Sequence, residues 1–407
     1  MTAFLTRLRA TGAGRPPEST GARPISTWAF LGVAVVSLGG PLALSALIAP
    51  DVISSAGSTA SAGFAAVASV VVFAFPLVIW LRYAREINGS GGLYAFVDAA
   101  AGRRVAQVQA GLWIVSYLLY ILYTTIQVVY DALPDVLPGE VRYQSLLAIL
   151  IPVVMAGVMI AGRRAALLVI GLLAVGQLAI AIAVDGVTVA NIATPASSFG
   201  TSAPAGALAS SASQTALLYI CASLPLFLGG ELARPARTIR RGLTAVYLVT
   251  AAIIIAGVAP LAADPALAAE PIPGMTIAQR FVGHGFAVTV GVGVVASIAG
   301  VMIVEYLALS RLVSAVTAWP SRRVIIAVGV LVVVVAPFTL ISPQAFYNAL
   351  SKPSLVALWL SQLIVFAVYP RFAARRGSRM LPVWVLTAAS VAFSIYGLWE
   401  VIQHSSS

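Results

Sequence analysis

Eleven apolar runs, each 17 residues or longer, fill most of this 407-residue chain: 28–49, 61–81, 105–129, 145–162, 165–184, 210–230, 242–263, 284–309, 324–341, 353–369 and 381–399. About 20 apolar residues suffice to cross a bilayer as a helix. Only the eighth run carries a formal charge, at Glu305. Charged residues make up 9% of the sequence and hydrophobic ones 60%, far from the roughly one-quarter charge of a soluble domain. The longest gaps between runs are about 25 residues, too short for an independent core. The sequence therefore predicts an all-α integral membrane fold of about eleven spans, with the fourth, ninth and tenth the shortest.

A net charge of +11 raises a nucleic-acid reading, which the distribution of charge rejects. Threading the spans with the N-terminus inside puts 21 of the 24 basic residues on one side, Arg7, Arg9, Arg15 and Arg23 of the tail among them. Arg142, Arg280 and Lys352 are the three exceptions. This is the positive-inside bias, and it predicts a multi-pass protein of the plasma (inner) membrane with a cytoplasmic N-terminus. The same threading places Asp51, Asp131, Asp135, Glu140, Asp185, Asp264 and Glu270 outside, along with the C-terminal tail. The N-terminal tail has no apolar core and reads as retained, not as a cleaved signal. Arginine outnumbers lysine 23 to 1, in keeping with a GC-rich bacterial gene.

Two of the spans are interrupted. Ser37-Leu38-Gly39-Gly40-Pro41 sits in the middle of the first, and Tyr219, Cys221, Ala222, Ser223 and Pro225 lie near the middle of the sixth. A gap in an apolar helix frees backbone groups that hydrocarbon cannot satisfy, so such gaps line cavities. Spans one and six run in opposite directions. Five spans plus five therefore form an inverted repeat, the arrangement in which paired breaks mark a transporter's solute site. The expected division is a tail (1–26), a first five-helix repeat (27–184), a second (185–370), and an extra helix with its tail (371–407). Residues 263–283 are too polar to span and read as an external loop, either plain or packed over the site.

At a break, the half-helix N-terminus suits a carboxylate and the opposing carbonyls suit an ammonium group or a cation. A zwitterion satisfies both. Tyr117, at the centre of the third span, is a candidate for shaping the pocket, although Tyr120 and Tyr123 extend it into a stripe typical of packing. Tyr219 and Ser223 are substrate candidates beside the second break, and a bond back to its own helix is the alternative for Ser223. Ser297 is a sodium-ligand candidate or an internally bonded serine, and Gln177 is a weaker polar candidate. Glu305 reads as the one ionisable group well inside a span, and intramembrane carboxylates are functional hypotheses by default. It is a proton-coupling candidate, but a pairing with Arg311, six residues on, is the favoured reading.

No hydrolytic, redox or metal-cluster pattern occurs in the sequence. Cys221 is the only cysteine, no Ser/His/Asp set shares a depth, and there is no phosphate-cradling loop. Neither an enzyme nor a cofactor is expected.

Two stretches add a resemblance. Arg85-Glu86-Ile87-Asn88-Gly89-Ser90-Gly91-Gly92-Leu93-Tyr94 resembles the "E…SGGxY" signature of the amino acid–polyamine–organocation permeases. Glu231-Leu232-Ala233-Arg234-Pro235-Ala236-Arg237-Thr238-Ile239 resembles their "E…P…TI" stretch after helix six, and Ser310-Arg311 also fits the pattern. The resemblance spans residues 28 to about 370. It implies a leucine-transporter-like fold, alternating access, and amino acids or related amines as substrates. The family's two helix breaks map onto Ser37–Pro41 and Tyr219–Ser223. Cys221-Ala222-Ser223 replaces the family's Gly-aromatic-acidic run, and its helix-five lysine is absent.

Together these readings predict a secondary transporter of a small, neutral amino acid or related amine, with a proton or sodium as a possible coupling ion. An exchanger, a carrier of another small solute, and a non-transporting sensor or scaffold are the alternatives.

Overall fold

The computed structural model describes residues 24–136 and 138–404. The expected tail up to Arg23 and residues 405–407 lie outside the described residues. Among those described, ten segments are long and apolar enough to cross a membrane. They are α1 (Thr27–Ser55), α2 (Thr59–Ala84), α3 (Arg103–Val136), α5 (Arg163–Asn191), α6 (Ala205–Glu231), α7 (Pro235–Ala263), α8 (His284–Thr317), α9 (Ser321–Leu340), α10 (Pro343–Ala374) and α11 (Met380–Gln403). The expected fourth span is a shorter apolar helix, α4 (Gln144–Ile160). With it the order is five helices, five helices and one more.

The most enclosed segments are α1 and α6, the two that carry the breaks. α1 packs on α5, α6, α7 and α8, while α3 lies against α8 and α10, and α4 against α9. Hydrogen bonds fasten α3 to α10: Gln109 Nε2 donates to Ser361 Oγ (2.9 Å) and Ser354 Oγ to the Ser116 carbonyl (2.7 Å). In hydrocarbon, where apolar contact between helices gains little over contact with lipid, such bonds and close packing through small residues hold helices together.

α5 shows the membrane pattern of a reversed amphipathic helix. Leu168, Leu172, Val175, Ile182 and Val189 form an exposed stripe at helical spacing, which suits lipid. Its buried face carries the polar side chains Gln177, Asp185 and Thr188 among small residues. Two expectations change here. α5 continues past residue 184 to Asn191 and α6 starts at Ala205, so the expected repeat boundary falls inside a helix. Asp185, expected outside, is 6% exposed within α5, and Glu305 is therefore not the only ionisable side chain inside a span. A lone acid at the end of an apolar run reads as a loop residue, because hydropathy does not register which way a helix face points.

The two motif stretches meet at the arginine-rich face. Gly92 adopts φ 49° at the start of the short helix Leu93–Ala101, and a Cβ there would lie 2.6 Å from the Phe227 ring of α6. A Cβ on Gly230 would lie 2.5 Å from Ser90 Oγ. Glu231 then closes α6 with a fork of ion pairs, to Arg163 at 2.9 Å and Arg311 at 2.5 Å. Ile25 donates its N–H to the Glu231 carbonyl at 2.9 Å, tying the start of the described chain to the same point.

On the other face, the stretch 263–283 folds into two short helices, Pro265–Ala268 and Pro273–Phe281. The second packs on the C-terminal half of α1, where a Cβ on Gly274 would lie 2.5 Å from the Ala46 Cβ. It is a packed cap, not a solvated loop.

Candidate functional site

The two breaks differ in construction. The N-terminal half of α1 ends at Ser37, Gly39 and Gly40 take φ values of 79° and 70°, and helix resumes at Pro41. L-residues with a Cβ are strained in that region of backbone space, which explains two adjacent glycines. Pro41 occupies a first helical position, where its missing N–H costs nothing. Among the described residues, the Gly39 N–H and the Leu38 and Gly39 carbonyls enter no backbone hydrogen bond. Gly40 is required for a second reason: a Cβ there would overlap Ser297 Oγ of α8 and lie 2.9 Å from Gln177 Oε1 of α5.

α6 unwinds differently. Regular helix runs through Ala205–Leu217, and Ile220–Glu231 is wound as a 3₁₀-helix. Such runs seldom exceed 3–4 residues because their hydrogen bonds are poorly aligned. Here Pro225 removes a donor, and small residues let neighbouring helices enclose the thin backbone. The N-terminal half of α1, α7 and α8 all pack on this stretch.

Beside the α6 coil lies a buried set of polar side chains. Glu305 of α8 is fully buried, its Oε1 accepts from Cys221 Sγ at 3.7 Å, and Oε2 has no partner among the described residues. Tyr117, also buried with a free hydroxyl, stands within electrostatic reach of both Cys221 and Glu305. Its ring stacks on Trp113 at 3.7 Å, and Trp113 meets Phe227 of the 3₁₀ stretch at 4.6 Å. Tyr120 and Tyr123 extend the aromatic wall along α3.

This overturns the favoured reading of Glu305. Arg311 is taken by Glu231 and by Ser321 Oγ (2.5 Å), and Glu305 turns inward to Cys221. Six residues along a helix is not an integral number of turns, so the two side chains leave α8 in different directions.

The remaining candidates divide. Ser297 donates to Gln177 Oε1 at 2.5 Å beside Gly40, leaving the Gln177 Nε2 without a partner. It bonds across to α5, not to its own helix. Ser37 and Ser223 donate back to the Ala34 and Ile220 carbonyls, at 3.0 and 3.2 Å. Ala222 is buried in the 3₁₀ stretch and offers only backbone. Tyr219 points away from α1, its ring 5.5 Å from Phe73 and 5.3 Å from Tyr247. The geometry thus groups Gly40, Ser297 and Gln177 at the α1 break and Cys221, Tyr117 and Glu305 at the α6 coil, and sends Tyr219 into the packing between α2 and α7. Gln177 and Glu305, weighted lightly in the sequence, sit beside the two breaks. Both were visible as polar residues in apolar runs.

The overall arrangement is that of known transporters. The chain superposes on MhsT in complex with L-phenylalanine with a TM-score of 0.56 and 14% identity, over 92% of this chain and 98% of that one. It superposes on the Eremococcus coleocola manganese transporter, in complex with an aromatic bis-isothiourea substituted compound, with a TM-score of 0.58 and 12% identity, over 91% and 87%. A mutant of that manganese transporter gives 0.57 and 13%, with the same coverage. No family model and no curated protein matches the sequence. At these identities the likeness establishes the leucine-transporter-like fold, as the sequence implied.

Proposed function

We propose that this protein is a secondary transporter of the plasma membrane, N-terminus cytoplasmic, that moves a small amine-bearing solute by alternating access. An amino acid is the leading class. The observation that carries the reading is that α1 and α6 pack on each other and are each unwound at mid-length, with the buried carboxylate of Glu305 facing the α6 coil. Free N–H groups at the α1 break suit a substrate carboxylate. The unpaired carbonyls of Leu38 and Gly39 suit its ammonium group, and Glu305, at the α6 coil, is a further group that attracts positive charge. Tyr117 and Trp113 would form the wall facing the side chain. The buried carboxylate of Glu305 beside the α6 coil favours a positive charge, whether on the substrate or as a proton.

Specific chemistry supports a second reading. Cys221 Sγ and Glu305 Oε1, 3.7 Å apart, are a thiol and a carboxylate, two ligand types suited to a transition metal ion. On this reading the metal is cargo.

Counterflow in proteoliposomes tests both. Amino acids and small amines, then manganese and zinc, are screened for accumulation, and Glu305→Gln is compared with the parent. Accumulation of an amine that requires Glu305 supports the first reading, and metal accumulation the second. No accumulation of any solute, with thermal stability also unmoved by every one of them, sinks both.

A further inference from the structure

Asp185 is a second buried carboxylate, on another helix from Glu305. It lies six residues before Asn191, the outer end of α5, roughly 9 Å along the axis. Neither of its oxygens has a hydrogen-bond partner among the described residues. Its wall is made by two other helices. A Cβ on Gly257 of α7 would lie 2.7 Å from Asp185 Oδ1, 3.3 Å from the Ser45 Cβ and 3.4 Å from the Ser45 carbonyl oxygen. Glycine at 257 therefore leaves the space into which the carboxylate fits. Ser45 belongs to the π-wound turn Leu44–Ile48 in the outer half of α1, and such turns recur where a helix is adapted for function.

No charge balances Asp185. On the elements packed around it, Asp51 of α1 and His284 of α8 are exposed, and Arg280 of the cap helix pairs with Asp264 at 3.1 Å. Glu305 of α8 faces Cys221, Tyr247 of α7 faces the aromatic cluster, and α4 carries no ionisable group. None of these acts on the Asp185 carboxyl. A metal ion would call for several oxygen ligands, and no cluster of three His, Cys, Asp or Glu occurs among the described residues. A proton needs only the carboxylate itself. Once bound, it removes the charge and supplies an O–H donor beside the Ser45 carbonyl.

We propose that Asp185 is a proton-binding site whose occupancy is tied to the seating of the outer half of α1 on α5 and α7. With the outer half of α1 seated, the carboxyl is dry and holds a proton. When that half swings out, water reaches the group and it releases the proton to the outer side. By reciprocity, protons favour the seated state and alkaline conditions favour the open one. The link to the transport cycle rests on the alternating-access reading above, whereas the binding of a proton at Asp185 does not.

Infrared difference spectra of the full-length protein in proteoliposomes, recorded across a pH titration, read this directly. Glu305→Gln and Glu400→Gln together remove the other two buried acids among the described residues. In that background the protonated-carboxyl band that remains is expected to vanish on Asp185→Asn and to shift on Asp185→Glu, which keeps an acid if the amide variant misfolds. A band unaltered by both changes at 185 overturns the proposal, whatever the flux assays show. A second readout places a thiol beneath the cap helix, as Ala46→Cys in a Cys221→Ser background. Labelling by an impermeant maleimide should accelerate with rising pH, and Asp185→Asn should flatten that profile. An identical profile in both proteins overturns the tie to α1.

Discussion

The break in α1 and the break in α6 solve one problem in two ways. α1 stops and restarts across two glycines with positive φ, and α6 stretches into a 3₁₀ coil without leaving the right-handed region. The first depends on residue identity, because only glycine fits both the backbone angle and the contact with Ser297. The second depends on small size and a missing donor, which several residues can supply. Mutational tolerance should therefore be unequal: narrow at Gly39 and Gly40, broad along Ile220–Glu231.

The largest expected effect is at Gly40. Gly40→Leu combines a left-handed φ, costing about 1–2 kcal/mol, with overpacking worth roughly 1–3 kcal/mol. Thermal stability in detergent should fall and uptake should vanish. Wild-type stability would remove the asymmetry between the breaks.

Next comes Glu305→Gln. A hydrogen bond to a charged group is worth about 1.5–3 kcal/mol, so affinity for an amine solute should fall on the order of ten- to a hundredfold, measured as the counterflow half-saturation. The fold should survive, since the amide keeps the shape. An unchanged half-saturation would place the solute elsewhere.

Glu231→Gln tests the end of the 3₁₀ stretch. Its fork to Arg163 and Arg311 is partly exposed, so the cost is about 1 kcal/mol or less, read as a small drop in melting temperature that salt diminishes. The smallest change is expected for Ser223→Ala. That hydroxyl bonds only the Ile220 carbonyl of its own coil, and stability and uptake should stay within about 0.5 kcal/mol of wild type. A large loss of uptake would show that Ser223 reaches substrate and that the α6 break is as residue-specific as that of α1.

Much of the fold was legible because the membrane simplifies the code. Length and apolarity located every span, and the short α4 emerged where the run was short. The Gly39-Gly40-Pro41 break was readable because positive φ and a lost N–H belong to the residues themselves. Less of the site was legible. Tyr219 looked adjacent to the second break in sequence, yet its ring leaves the coil toward Phe73 and Tyr247. Glu305 was assigned to Arg311 by proximity along the chain, but the rotation of α8 carries it to Cys221. Asp185 closed an apolar run and was taken for a loop acid, though it shares the buried face of α5 with Gln177, eight residues earlier and about two turns away.

The amino-acid sequence alone determined the solvent this chain folds in, the number of passes to within one, and the points where the helices must break. These depend on transfer free energies and backbone angles, which are properties of short segments. The tertiary structure decided which polar groups face one another across those breaks and which acids are left without a partner. Those outcomes depend on how each helix is rotated against its neighbours, and that rotation is fixed by packing between segments far apart in the chain.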